Sequence, residues 1–196
     1  MRQFVISGHD APTSAAFSLD DLTGAGRLDL LCRCVTSALL LSHGIREDVR
    51  VHLVLSDEFT LTFEGSTLRR LNPDERSTAA LVRNALEQRE EAIGHIPVET
   101  SPGVSLSRVG FAETLDSLEG QTVFQLHESG TPVGSVDPPG DPVFVLSDHH
   151  DFTEAETETL AAIRDGQIRL GPEPLHANQA ITVAHNWLDT DGFTQF

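Results

Sequence analysis

The feature that most constrains the fold of this chain is the alternation of strand-like and helix-like segments along its length. Alternating apolar and β-branched residues predict seven strands, at residues 2–7, 49–56, 60–63, 104–109, 122–127, 142–147 and 167–170. Helical periodicity predicts helices at residues 27–43, 73–93, 111–118, 154–164 and 175–189. Strands that alternate with helices predict an α/β layer architecture with a largely parallel sheet.

Two helix starts carry capping signals. Asn72, followed by Pro73 at the first helical position, predicts the start of one helix. Thr153, with Glu156 three residues later, predicts a capping box at the start of another. Residues 129–141, rich in glycine and proline, are predicted to form a surface loop.

The length of 196 residues suits one ordinary core, so we expect a single domain over residues 1–196. No uninterrupted apolar run reaches the roughly 18 residues that a membrane helix needs. No basic and apolar leader is visible at the N-terminus. We therefore expect a cytoplasmic protein with no membrane partner.

The charge balance is extreme. Asp plus Glu number 30 against 13 basic residues, the formal net charge is -17, and every one of the 13 bases is arginine. Self-repulsion in such a chain fades as the Debye length shrinks to about 3 Å near molar salt, so we expect a salt-loving source. Nucleic-acid binders usually carry a basic footprint, but in concentrated salt the reward for one is small. Local clustering of arginines then says more about RNA than net charge does.

The helix at residues 27–43 is apolar on two sides and leaves a narrow polar seam. Asp29 and Arg33 lie on this seam as i, i+4 partners. A charged pair on a mostly buried helix is either a structural bridge or part of a site mouth, and the sequence leaves both open. Cys32 and Cys34 point to different faces and are interpreted as small core residues.

The densest arginine cluster is formed by Arg69, Arg70 and Arg76. Arg76 follows Glu75 in the first turn of a predicted helix. A cation there opposes the helix dipole unless an anion lies nearby. This cluster predicts a phosphate-facing patch.

Histidine and carboxylate side chains at Asp148, His149, His150 and Asp151 raise the question of a metal site. Adjacent residues on an extended turn diverge, and no HxH or HExxH pattern supports them, so we expect no metal. The segment follows a predicted strand, and ligands collect at the carboxyl ends of strands in open α/β sheets.

The C-terminal block at residues 168–181 carries the strongest signal. A strand ends in a loop stiffened by Gly171, Pro172 and Pro174, and a helix with small inner residues follows. Proline donates no backbone hydrogen bond, so this loop offers carbonyls and a rigid wall that suit an adenine ring better than a pyrophosphate. The absence of GxGxxG and GxxxxGK[ST] disfavours Rossmann and P-loop sites.

With this block the chain resembles the archaeal tRNA pseudouridine N1-methyltransferase family, a branch of the SPOUT methyltransferases, over essentially its whole length. The resemblance is carried by residues 1–4, 26–35, 73–76, 101–104, 147–149, 175–178 and 185–189. It implies a SPOUT-type α/β fold, an open and mostly parallel sheet with a deep trefoil knot in about residues 120–196. It also implies a homodimer.

The cofactor implied by the resemblance is S-adenosylmethionine, bound in the knot. The residues aligned with cofactor contacts are Leu126, Ser147, Leu170, Gly171, Pro172, Glu173, Pro174, Leu175 and Ala180. The family more often has glycine at the position of Ser147 and cysteine at that of Ala180. A cysteine role at position 180 is therefore untenable in this chain.

The implied reaction is methylation of N1 of a pseudouridine at position 54, in the T-loop of tRNA. The protein must orient N1 towards an already activated methyl group and remove the N1 proton. Asp29, positioned by Arg33, is one proton acceptor; alternatively, Asp29 only orients Arg33 towards the RNA. The residues expected to face RNA are Arg27, Arg33, Arg69, Arg70, Glu75 and Arg76.

Two other functions remain open at this point: a ribosomal-RNA pseudouridine N1-methyltransferase of the same fold, and a non-catalytic knotted binding module. The terminal helix is the expected dimer element, with one apolar stripe for its own sheet. Val183 and Trp187 give it a second apolar edge, expected to face a partner subunit.

Overall fold

The computed structural model describes residues 1–196 and contains ten strands and five α-helices. The strands are β1 (Arg2–Gly8), β2 (Leu40–Leu41), β3 (Gly44–Ile45), β4 (Val49–Leu55), β5 (Phe59–Glu64), β6 (Val98–Ser101), β7 (Val104–Ser107), β8 (Val123–Pro132), β9 (Val143–Ser147) and β10 (Gly166–Arg169). The helices are α1 (Leu28–Leu39), α2 (Glu75–Glu87), α3 (Phe111–Asp116), α4 (Glu154–Ile163) and α5 (Ala177–Asp189).

Eight strands form one mixed sheet in the order β10-β8-β9-β1-β4-β5-β7-β6. The five strands from β10 to β4 pair in parallel, whereas the pairs from β4 to β6 are antiparallel. The predicted α/β architecture with a parallel-rich sheet is confirmed. The antiparallel half is joined partly by tight turns, which parallel pairing would not allow.

Both faces of the sheet are covered by helices. The larger core contains residues of α1, α2 and α5, including the fully buried Leu31, Ala79 and Trp187. The smaller core joins Phe111 of α3 and Leu160 of α4 to the opposite face. No helix is both long and apolar enough to cross a membrane.

All seven predicted strands occur, with shifted ends, but β6 and the small β2–β3 hairpin were not predicted. This hairpin ends α1 at Leu39, four residues before the predicted end. The predicted cap at Asn72 is wrong. Asp74 caps α2 instead, because its carboxylate accepts a hydrogen bond from the Ser77 backbone N–H at 2.7 Å. The capping box of Thr153 and Glu156 at α4 is confirmed.

The predicted surface loop at residues 129–141 is wrong at its start, because β8 continues to Pro132. Pairing with β10 explains the extension. Gln167 pairs with Gln125, and the next residue of β10 pairs with Thr131, so five residues of β8 bulge out between the two registers. The bulge depends on Gly130, where an added Cβ would lie 2.5 Å from the backbone of β10.

Helix α5 starts at Ala177, two residues later than predicted, and packs against α1. The second apolar edge expected at Val183 and Trp187 is only partly present. Trp187 is fully buried in its own subunit, with its ring tilted against that of Phe144 in β9. Val183 alone remains half-exposed.

Candidate active site

A cleft of about 420 Å³ opens at the carboxyl ends of β8, β9 and β10. This volume lies within the range of small-molecule and cofactor sites, and the position is the one that parallel sheets offer to ligands. Its walls are formed by residues 126–128, 146–152 and 168–177, with Ala180 of α5 at one side.

Eight of the nine residues aligned with cofactor contacts line this cleft; Pro172 does not. Residues 148–152, His127 and Ala177 also line the cleft, although they were not among the predicted cofactor residues. The position of residues 148–151 directly after a strand was the available signal, since strand ends meet at one edge of a parallel sheet.

Gly171 lies on the proline-containing wall of the cleft. A Cβ at this position would meet the Glu173 backbone oxygen at 3.4 Å and the Leu175 side chain at 3.6 Å, which are ordinary contacts. Its backbone does not require glycine, since its φ is not positive. Larger side chains at residue 171 are therefore compatible with the fold. They would instead clash with a ligand bound in the cleft.

Residues 147–153, here called the cleft loop, connect β9 to α4. Asp148 holds this loop through its buried carboxylate, which accepts hydrogen bonds from the His150 backbone N–H at 2.8 Å and from the His9 backbone N–H at 2.9 Å. The Ser147 hydroxyl donates to the His150 carbonyl. These bonds fix the loop that forms one wall of the cleft.

His9, just after β1, lies between two carboxylates. Its Nδ1 is 3.0 Å from Asp148 Oδ1 and its Nε2 is 2.8 Å from Glu156 Oε2. Although partial burial acts to lower it, the hydrogen bonds from Glu156 and Asp148 leave the pKa of His9 above its ordinary value. Burial works to raise the pKa of Glu156, but hydrogen bonds from Ser7, His9 and Thr153 hold it below its usual range.

The exposed rim of the cleft carries a group of Asp10, His149 and His150, whose nitrogen and oxygen atoms lie within 4.8 Å of one another. His150 Nε2 is 2.9 Å from Asp10 Oδ2, the geometry of an ordinary ion pair. Asp148 and Asp151 are not part of this group. The predicted divergence of adjacent residues is therefore wrong for His149 and His150, whose ring centroids lie 4.0 Å apart.

A left-handed turn at Gly26 and Arg27 starts α1. Both residues have positive φ, 59° and 58°. At Gly26 a Cβ would lie 1.7 Å from the Asp10 backbone oxygen, so only glycine fits there. The turn folds the Arg27 side chain back onto Asp29, with Nε and Nη2 lying 3.0 Å and 3.2 Å from the two carboxylate oxygens.

Asp29, only 7% exposed, also accepts a hydrogen bond from Arg33 Nη2 at 2.9 Å. Arg33 Nη1 donates in turn to Glu75 Oε1 at 3.0 Å. The hydrogen bonds from Arg27, with the charges of both arginines, outweigh burial and lower the pKa of Asp29. Arg27, Asp29, Arg33 and Glu75 form what we call the arginine cluster.

Of the other predicted RNA-facing residues, Arg76 lines one groove with Asp29 and Glu75 but makes no ion pair with the cluster. Arg76 is exposed and pairs with Asp20. Arg69 donates to the Leu68 carbonyl, and neither Arg69 nor Arg70 has a carboxylate partner. Both are exposed, so their guanidinium groups can receive an external anion.

The arginine cluster starts at the rim of the cleft. His150 lines the cleft and pairs with Asp10, whose backbone packs against the turn at Gly26. Arg27 follows this turn directly. A ligand in the cleft and a second ligand on the arginine cluster would therefore be neighbours.

Comparisons with known proteins agree with a ligand cleft beside a cluster of arginines. The model of a family described as "Putative SAM-dependent RNA methyltransferase" matches residues 1–193. A protein of Haloarcula marismortui, named tRNA (pseudouridine(54)-N(1))-methyltransferase, is 70% identical over 198 residues, with both chains covered completely. Relatives with the same name occur in Haloferax volcanii (67% identity, both chains complete) and Methanosarcina acetivorans (46%, with 96% of this chain and 91% of the relative covered). The halophilic sources of the first two agree with the expectation drawn from the acidic composition.

Among solved structures, the chain resembles Archaeoglobus fulgidus Nep1 bound to S-adenosylhomocysteine. The TM-score is 0.66 at 16% sequence identity, with 96% of this chain and 97% of the other covered. At this identity the likeness describes the fold, and it extends over nearly the whole of both chains.

Proposed function

The chain belongs to the family of SAM-dependent RNA methyltransferases, and we propose that it methylates N1 of the pseudouridine at position 54 of tRNA. The observation that carries this proposal is the cleft at the carboxyl ends of β8, β9 and β10, which collects the aligned cofactor residues beside the arginine cluster. The full-length identity of 70% to a relative named for this reaction supports the substrate.

The residues of the cleft fit S-adenosylmethionine. Leu126, Leu146 and Leu170 offer apolar surface for the adenine ring. Glu173 and the cleft loop supply polar groups for the ribose and the amino acid portion. The cofactor supplies an activated methyl group, and the protein's task is to hold the nucleobase in line with it and to exclude competing geometries.

For Asp29, the geometry supports a positioning role better than proton removal. Its carboxylate is engaged by two arginines, and its lowered pKa makes it a weak base. Asp29 thereby fixes the guanidinium groups of Arg27 and Arg33, which are about one-third exposed and can contact a phosphate or the nucleobase. Arg69, Arg70 and Arg76 extend this surface, and Glu75 orients Arg33 from α2.

The C-terminal third, about residues 120–196, is proposed to contain the trefoil knot of the SPOUT fold within a single domain. Support comes from the strand order, since the chain passes from β9 to β10 on the far side of β8 and then returns to pack α5 against α1. A crystal structure traced through this segment tests the crossing.

We also propose a homodimer that uses the surface around the start of α5. Leu175 is 37% exposed and Val183 half-exposed, which leaves apolar surface next to the cleft. The surface is smaller than the sequence indicated, because Trp187 is internal. Light scattering in molar salt tests this, and a monomer would contradict it. A tRNA-modifying enzyme also implies a cytoplasmic location.

The activity is tested with tRNA that carries pseudouridine at position 54 as its only modification, incubated with the protein and S-adenosylmethionine in molar salt. Nucleoside mass spectrometry is expected to show N1-methylpseudouridine in tRNA, and tRNA with uridine at position 54 is the matched control. Methylation of ribosomal RNA but not tRNA would favour the ribosomal enzyme. Calorimetry that finds no heat with S-adenosylmethionine would favour a non-catalytic module.

A further inference from the structure

His9 does not line the cofactor cleft. Its ring is hydrogen-bonded to Asp148 and to Glu156, which lie at the start of the cleft loop and just after its end. Asp148 lies at the start of the cleft loop, and Glu156 lies in the first turn of α4, just after the loop. His9 faces a separate cavity of about 210 Å³ shared with Ser7 and Asp57. We propose that His9 is a positioning residue that, as an imidazolium, latches the cleft loop and thereby sets cofactor affinity; this rests on the proposed function.

The hydrogen bonds of His9 require that its ring be protonated. Both ring nitrogens of His9 lie within 3.0 Å of a carboxylate oxygen, and ionised carboxylates only accept hydrogen bonds. A neutral imidazole has one N–H and would turn a lone pair towards one of the two carboxylates. Only the protonated ring satisfies Asp148 and Glu156 together.

The two carboxylates are poorly solvated. The Asp148 side chain is 1% exposed and that of Glu156 is 11% exposed. Loss of the His9 charge leaves two buried anions facing each other, which is costly. The cleft loop can relieve this repulsion by moving. His9 is held in place, because it directly follows β1, which is paired on both sides in the sheet, and because its carbonyl accepts a hydrogen bond from Ser56 Oγ at 2.9 Å.

Glu156 couples the position of His9 to the backbone at the end of the cleft loop. The oxygen that faces His9 also accepts hydrogen bonds from the Thr153 backbone N–H at 2.8 Å and the Thr153 hydroxyl at 2.9 Å. The other oxygen accepts from Ser7 of β1. Displacement of Glu156 therefore loosens the end of the cleft loop and the first turn of α4 together.

Two further histidines and two acids surround the His9 site, and one of them, His149, has its Nδ1 3.6 Å from Asp148 Oδ2. His150 stacks edge-on at 5.9 Å and is itself paired with Asp10, and Asp57 lines the same cavity. No lysine or arginine contacts His9, so the surroundings on every packed element favour the imidazolium. Because its pKa is raised, the imidazolium persists to higher pH than in an ordinary histidine, and the contact with both carboxylates is lost as the pH rises through that raised value.

The test is calorimetric binding of S-adenosylhomocysteine from pH 6 to pH 9 in molar salt. For His9→Gln we expect an affinity about ten-fold below wild type at pH 6, the scale of one hydrogen bond to a charged group. The wild-type affinity should decline towards alkaline pH, whereas that of His9→Gln should be flat. The control is His43→Gln, an exposed histidine in the β2–β3 turn, which should follow wild type.

A charge-matched double variant separates positioning from folding. His9→Gln with Glu156→Gln removes one cation and one anion, so we expect it to recover affinity relative to His9→Gln and to stay independent of pH. Wild-type affinity and pH profile in His9→Gln would overturn the proposal, as would unfolding of both variants in circular dichroism. Absence of binding in the wild type would instead overturn the proposed function.

Discussion

Arg33 Nη2 lies 2.9 Å from Asp29 Oδ2, one turn apart on α1, and the same guanidinium reaches across to Glu75 on α2. A single arginine thus ties two helices together while about one-third of its side chain remains open to solvent. This partial exposure makes it available to RNA without dissolving the bridge. Substitutions at Asp29 and Arg33 can therefore distinguish a structural role of this bridge from a role in RNA binding.

Substitution of Asp29 by asparagine should impair RNA binding more than cofactor binding, because Arg27 and Arg33 lose their common anchor. Charged hydrogen bonds of this kind are worth about 1.5–3 kcal/mol, so kcat/KM for tRNA should fall about 10- to 100-fold. The measurement is steady-state kinetics with tRNA alongside S-adenosylhomocysteine calorimetry. A loss confined to kcat, with tRNA affinity intact, would return Asp29 to the role of general base.

Arg33→Ala should weaken tRNA binding while leaving S-adenosylhomocysteine binding nearly unchanged. Arg83→Ala, a partly exposed arginine on α2 without an ion-pair partner, is a suitable control for loss of positive charge alone. Gel-shift titration and calorimetry on both variants measure the difference. An Arg33→Ala protein that fails to fold would show that the bridge to Glu75 is its main role.

Gly171→Val should lower cofactor affinity about ten-fold or more, since added bulk in a packed site costs about 1–3 kcal/mol. The fold should survive, because a Cβ at residue 171 makes only ordinary contacts. Gly134→Val, at a position with no atom within 4 Å of an added Cβ, is the matched control. Unchanged S-adenosylmethionine affinity in Gly171→Val would place the cofactor elsewhere.

Affinity for tRNA should hold or rise between roughly 0.1 M and 2 M KCl, because screening removes long-range repulsion from the net charge of -17 more than it removes short-range arginine contacts. Folded-state stability should rise over the same range. Fluorescence titration and denaturant unfolding across a salt series measure the two quantities. A steep and monotonic loss of tRNA affinity, as in basic proteins, would contradict this account.

Stability should fall as the pH drops from about 6.5 towards 4. Burial, with the charges of nearby arginines, lowers the pKa of His52 to about 3 and that of His185 to about 4. Both stay neutral in the folded state while the unfolded chain takes up protons, so each contributes a loss of about 1.4 kcal/mol per pH unit in this window. Guanidinium unfolding at several pH values measures the slope, and His52→Gln should make it shallower. An identical slope in that variant would show that other groups control acid unfolding.

Contacts that depend only on residues close together in the sequence could be predicted, whereas contacts that depend on distant residues could not. The Asp29–Arg33 pair follows from helical spacing, and the proline-containing wall and the loop after β9 follow from sequence signals at strand ends. The full set of cofactor residues is indicated only by the family resemblance. The Arg27–Asp29 contact was hidden, because it needs a left-handed residue that only the packing of Gly26 on Asp10 dictates. The two contacts of His9 span 139 and 147 residues and have no local signature. Likewise, β8 extends past glycine and proline only because β10 pairs with it.

The central place of β1 has a consequence for how the protein is made. This strand is translated before the other nine, yet the residues of β9 that pair with it lie about 140 positions further along the chain. The antiparallel strands from β4 to β7 are close in sequence and can pair during synthesis, because short-range contacts form fastest. The cofactor cleft needs β9, β10 and α5, and so it forms only after these three elements have been translated. Chains truncated before β9 are therefore expected to have no activity and to expose apolar core residues to chaperones and proteases.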